Sequence, residues 1–143
     1  MILVDVNLLV YAHATTAPLH NAARTWLNSR LAGPARVGLP WHSLAGFLRI
    51  ITNARMVSRP VPAIEAWSHV EALLDSPSAW IPQPGDRHRE LFGQLLREAG
   101  MGGNLVPDAH LAAIAIEHGL TLCSTDGDFA RFRDLRWQNP LAT

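Results

Sequence analysis

None of the 143 residues is a lysine, only one is a cysteine, and the formal net charge is zero. The single Cys123 excludes an internal disulfide framework. Zero net charge removes bulk attraction as a reason to bind nucleic acid. All twelve cationic side chains are arginine, whose planar fork binds phosphate in a way the lysine point charge does not. Arg49, Arg55 and Arg59 group in the first half and Arg87, Arg89 and Arg97 in the second; both sets read first as solvated helix faces. No apolar run approaches the roughly 18 residues of a membrane span. Met1-Ile2-Leu3-Val4 meets Asp5 too early for a signal peptide, so a cytoplasmic protein without a membrane partner is expected. There is no GxGxxG or Walker loop, which leaves nucleotide cofactors unsupported. The seven histidines form no HxxxH or HExxH pair, so a zinc site is unsupported too.

With 48% hydrophobic residues and no repeat or low-complexity tract, the chain is expected to fold, as one domain over residues 1–143. A chain of this size buries roughly 68–70% of its unfolded surface. Short apolar runs alternate with helical patterns. Residues 1–4, 35–39, 79–82 and 120–123, with a last run at Trp137, read as buried strands. Helices are predicted over residues 5–11, 17–33, 41–53, 63–75, 87–99 and 107–118, with Gly33, Gly100 and Gly119 as stops. In the fourth helix, Ile64, Trp67, Val70 and Leu74 form the expected inner stripe, and Trp41 and Trp80 are expected in the core. The alternation argues for a three-layer α/β domain with a mostly parallel sheet and a helical hairpin, residues 41–75, to one side.

Four aspartates stand at three turns of this pattern. Asp5 follows the first strand, Asp108 lies in the first turn of a helix opened by Pro107, and Asp126 and Asp128 follow the strand that ends at Cys123. Singly, each is ordinary: an aspartate caps a helix or favours its positive end, and Asp-Gly-Asp is turn chemistry. Jointly they are not, because in a parallel sheet strand ends and helix starts share one edge. Carboxylates crowded there repel one another and must take up protons or bind a cation. Oxygen-only donors suit Mg²⁺ or Mn²⁺. At about 100° per residue, His110 and Glu117 point away from Asp108 and are expected outside such a site.

The motifs Asp5-Val6-Asn7, Asn104-Leu105-Val106-Pro107-Asp108-Ala109-His110-Leu111-Ala112-Ala113 and Ser124-Thr125-Asp126-Gly127-Asp128-Phe129 resemble those of PIN-domain nucleases. More narrowly, the chain resembles the VapC-type toxins of bacterial toxin–antitoxin pairs. The resemblance implies a PIN-like α/β/α fold and a Mg²⁺- or Mn²⁺-dependent endoribonuclease with an RNA substrate. It also implies a VapB-type antitoxin as inhibitor. Separately, five tryptophans in so small a domain, a residue type enriched at interfaces, make a homodimer or an antitoxin groove along the helical hairpin a further expectation. The resemblance implies Asp5, Asp108 and Asp126 as catalytic metal ligands, Asp128 as a fourth metal-site acid, and Asn7 and Thr125 as supporting residues. One position departs from the family pattern. Where a glutamate is usual, in an Ala-Glu-Phe-Leu type stretch, this chain has Ala45-Gly46-Phe47-Leu48. His42, one turn earlier, is the nearest candidate replacement. The alternative is a catalytically weak PIN-like module that mainly binds RNA or antitoxin.

Overall fold

The computed structural model describes residues 1–100, 103 and 105–142; Asn104, which opens the second motif, lies outside them. The elements in chain order are β1 (Ile2–Val4), α1 (Val6–His13), α2 (His20–Ala32), β2 (Val37–Gly38), α3 (Trp41–Ile51), α4 (Ala63–Leu74), β3 (Ala79–Trp80), α5 (His88–Ala99), α6 (Leu105–His118), β4 (Thr121–Cys123), a 3-10 helix (Gly127–Arg131) and β5 (Trp137–Gln138). The strands form one sheet in the order β3-β2-β1-β4-β5, and every pairing is parallel.

β1 is apolar at every position because helices cover both of its faces. Side chains alternate across a strand, and the two halves of the core follow that alternation. Leu3 and Leu122 pack with α5, α6, Phe129 and Phe132, whereas Ile2, Val4 and Cys123 pack with α1, α2, α3 and α4. α6 is buried nearly all round, through Ala109, Leu111, Ala112, Ala113, Ile114 and Ala115, as its alanine-rich sequence predicts. Gly100 and Gly119 end α5 and α6 with φ of 71° and 67°, the left-handed backbone that glycine adopts without strain.

Several elements differ from expectation. α6 starts at Leu105, two residues before Pro107; proline is tolerated there because the first four helical N–H groups have no partner within the helix. β2 and β3 are only two residues long. In α4 the buried residues are Ala66 and Val70, while Ile64 is 81% exposed and Trp67 42%. The inner stripe thus runs through the small alanine, which lets the helix sit close to its neighbours. Trp41 is 44% exposed and stacks on Trp67, with ring centroids 6.4 Å apart and planes 6° from parallel. Trp80 is half-buried under the Arg36 guanidinium, 4.1 Å from the ring centroid. Trp41 is therefore not a core residue, whereas Trp80 packs against the margin of the core.

The strand order makes the winding change direction between β1 and β4, which pair with each other at the centre of the sheet. Clefts beyond the C-terminal ends of the strands at such a switch point are where open α/β sheets hold their ligands.

Candidate metal centre

Asp5 leaves β1 at this switch point, and its backbone N–H donates to the Cys123 carbonyl at 3.0 Å, extending the central ladder by one residue. Asp126 leaves β4 two residues after Ser124, and Asp108 enters from the first turn of α6. One carboxylate oxygen from each of Asp108, Asp126 and Asp128 lies within 4.8 Å of those from the other two. The 3-10 helix explains how two of them stay aligned: Asp126 caps it by accepting from the Asp128 N–H at 2.9 Å.

Asp5 stands beside this trio with both oxygens engaged. Oδ1 accepts from the Val6 N–H at 2.8 Å, which also makes Asp5 the N-cap of α1, and Oδ2 accepts from the Ser124 hydroxyl at 2.7 Å. The capping and site readings of Asp5 therefore hold together. Ser124 Oγ in turn accepts from Asn7 Nδ2 at 3.1 Å and from the Asp126 N–H at 3.0 Å. One fully buried hydroxyl ties the ends of β1 and β4 to the start of α1. Sequence reasoning missed Ser124 and assigned the supporting role to Thr125. Among the described residues no hydrogen bond involves the Thr125 side chain, because it is Ser124 that turns inward. A serine directly after a strand and two residues before an aspartate was the available signal, and it also reads as an ordinary turn.

The electrostatics show the expected conflict. Burial and then the neighbouring Asp126, Asp5 and Asp128 push the Asp108 carboxyl up to about 6. Asp5 is also raised, chiefly by burial, against the hydrogen bonds from Ser124 and Val6 and the attraction of His42. Asn7 Oδ1 is buried and has no partner, so an acceptor remains beside the acids. Crowded carboxylates plus an unfilled oxygen acceptor fit a hydrated divalent cation of the Mg²⁺ or Mn²⁺ kind, which takes oxygen ligands and retains water.

His42 faces the same cleft as Asp5 and Asp108, where burial lowers its pKa against the attraction of Asp5. His110 lies against His42 with the ring planes tilted at 51° and centroids 5.7 Å apart, and hydrogen-bonds His88 at 3.0 Å. Glu117 accepts from the Gly85 and Arg87 N–H groups. Both were expected outside the acid cluster, and both contact α5 or the turn before it instead.

A PIN domain family model matches residues 2–135. The chain belongs to the PIN domain family. Within it, ribonuclease VapC43 of Mycobacterium tuberculosis is 45% identical over 141 residues, covering 99% of this chain and 96% of that one. Ribonuclease VapC37 of the same organism is 42% identical over 142 residues and 99% of each chain. Among solved structures, VapBC2 from Rickettsia felis, bound to a DNA fragment from its promoter, aligns with a TM-score of 0.71. It is 22% identical and covers 97% of this chain and 98% of that one. VapC20 of Mycobacterium tuberculosis, described as a sarcin-ricin loop cleaving toxin, aligns with a TM-score of 0.67 at 19% identity, over 95% and 99%. These likenesses fit the parallel sheet and its flanking helices.

This PIN domain has Gly46 where the resemblance leads one to expect a glutamate, and the packing makes glycine necessary. A Cβ at position 46 would stand 2.8 Å from Cγ2 of Val6 and 3.3 Å from Cγ1, so α3 approaches the first turn of α1 too closely for a side chain. Gly46→Glu is therefore expected to lose stability rather than restore a ligand. Gly46→Ala should lower stability by up to about 2 kcal/mol, because an overpacking cost of about 1–3 kcal/mol offsets or exceeds the gain of about 1 kcal/mol in helix propensity. The urea unfolding midpoint of each variant measures this.

Proposed function

We propose that this PIN domain is a Mg²⁺- or Mn²⁺-dependent endoribonuclease toxin that a cognate VapB-type antitoxin neutralises. The observation that carries the reading is the convergence of Asp108, Asp126 and Asp128 within 4.8 Å beside an anchored Asp5. The ribonuclease names of relatives above 40% identity over nearly the whole chain and the toxin–antitoxin complexes among its structural neighbours support it. Asp108, Asp126 and Asp128 would hold the cation, and Asp5 would complete the site or orient the attacking water. A divalent cation there supplies an acidified water and stabilisation of charge on the cleaved phosphodiester. Ser124 and Asn7 keep Asp5 in place, and the 3-10 helix keeps Asp126 and Asp128 on one side. The Thr125 role implied by the resemblance passes in this reading to Ser124.

Incubation of total cellular RNA with the purified chain, with Mn²⁺, Mg²⁺ or EDTA, tests the proposal. Discrete fragments are expected with either cation, none with EDTA, none from Asp126→Asn, and none when the antitoxin encoded beside this chain is added first. Fragments of the same size from Asp126→Asn, or with EDTA, would overturn the assignment.

A further inference from the structure

A furrow of about 550 Å³ runs from the acids between α1 and α3. Its walls follow helical spacing. Val6 and Val10 on α1, with Asn7 and Tyr11 beside them, face His42, Gly46, Arg49 and Ile50 on α3, each set recurring at three- or four-residue steps. Asp5, Pro107 and Asp108 also line it. Arg49, exposed on α3, stands two helical turns from His42, about 10 Å. Gly46 shapes the furrow: no side chain projects from α3 there, and Val6 lies directly on the bare helix backbone. The lining is consequently mixed: Val6, Val10 and Ile50 supply apolar surface, beside the chain's only tyrosine and a guanidinium.

We infer that this furrow is a nucleotide subsite, which seats one unpaired RNA base flanking the scissile phosphate and thereby selects where the chain cuts. The inference rests on the ribonuclease reading and deepens it. A base offers an apolar face that stacks on aromatic and guanidinium planes, while its backbone offers a phosphate to arginine. Val6, Val10, Ile50 and Tyr11 meet the first requirement and Arg49 the second. The furrow opens onto the acids, so a strand whose phosphate lies at Asp108 runs directly into it. A paired base would first have to be unpaired and unstacked, whereas an unpaired one has its face already free, so a single strand is the favoured occupant. Arg49, read from sequence as part of a solvated face, is here a phosphate contact and is not a member of an extended basic track.

Binding of four fluorescent ten-nucleotide RNAs, one for each base, is measured by anisotropy in EDTA so that nothing is cut. The proteins are wild type, Tyr11→Ala, Arg49→Ala and, as a distant control on α5, Arg97→Ala, each checked for folding by circular dichroism. Wild type is expected to prefer one base at least threefold. Arg49→Ala should weaken all four several-fold and reduce the slope of log affinity against log salt by about 0.7. Tyr11→Ala should flatten the preference, and Arg97→Ala should match wild type. Wild-type affinities, preference and salt slope in a folded Arg49→Ala, or no preference in wild type, would overturn the subsite. The two readings fail differently. If only the subsite is wrong, wild type still cuts RNA with Mn²⁺, and Arg49→Ala cuts at the same bonds. If wild type cuts nothing with Mn²⁺, the ribonuclease reading falls and takes the subsite with it.

Discussion

Asp108→Asn is expected to be more stable than the wild-type chain in EDTA at pH 7.5 and to cleave RNA at least about 10³-fold more slowly. The two effects share one cause. The folded chain raises the Asp108 carboxyl from 3.8 to about 6, through burial first and then Asp126, Asp5 and Asp128. A carboxyl raised by folding binds its proton more tightly in the native state, so it favours the folded chain below pH 4. That contribution is lost as pH rises through about 6. At pH 7.5 the ionised group opposes folding. Two pKa units correspond to nearly 3 kcal/mol without screening, and partial exposure reduces this to about 1 kcal/mol. Asparagine has the same shape and no charge, and among the described residues no hydrogen bond depends on the Asp108 carboxylate. Thermal unfolding should therefore occur about 3–5 °C higher in the variant at pH 7.5, with the difference vanishing near pH 4. Mn²⁺ should raise the wild-type transition and leave the variant's almost unmoved. The rate loss follows from the proposed cation site: a cation held there would be worth several kcal/mol to the transition state, and the variant lacks one of its proposed ligands. A variant less stable than wild type at pH 7.5 would contradict the crowding account.

Ser124→Ala is expected to be the most damaging conservative change at the site. One hydroxyl donates to Asp5 and accepts from Asn7 and from the Asp126 N–H. Alanine leaves the Asn7 amide and the Asp126 N–H without this partner and removes one of the contacts that hold Asp5 down against burial. A buried group left unsatisfied costs about 1–3 kcal/mol, and more where a charge is involved. We expect a loss of about 2–3 kcal/mol by chemical denaturation. Cleavage should fall by roughly 10²-fold, since a displacement near 1 Å has that effect on a positioned group. Thr125→Ala is the internal control, with an expected change within about 0.5 kcal/mol. Equal effects at the two positions would contradict the role of Ser124 as the tie between β1 and β4.

The layout of the fold was legible because its strongest signals are local. The run Ile2-Leu3-Val4 reads as a strand buried on both faces, and the alanine-rich Ala109 to Ala115 as a helix packed closely on several sides, and both form as read. The sheet edge shared by Asp5, Asp108 and Asp126 followed from parallel connectivity. What the sequence concealed depends on packing between distant segments. α4 lies at the periphery and buries a narrow strip, so periodicity alone could not choose Ala66 over Ile64 and Trp67. Ser124 gains its importance from Asp5 and Asn7, which are 119 and 117 residues away. Gly46 looked like a missing ligand, and only its distance to Val6 reveals a close helix approach. Asp128, read as a fourth acid, belongs to the tightest group of three, whereas Asp5 is held slightly apart by Ser124 and Val6.

Calorimetric titration of Mn²⁺ into the metal-free chain at pH 6, repeated in two buffers of different ionisation enthalpy, tests the acidic edge most directly as a divalent-cation site. With Asp108 half-protonated near pH 6, saturable binding should release about half a proton per ion at pH 6 and almost none at pH 8. Asp108→Asn should bind far more weakly and release fewer protons per ion. Absence of saturable binding in the folded wild-type chain, or equal binding by Asp108→Asn, would contradict the account.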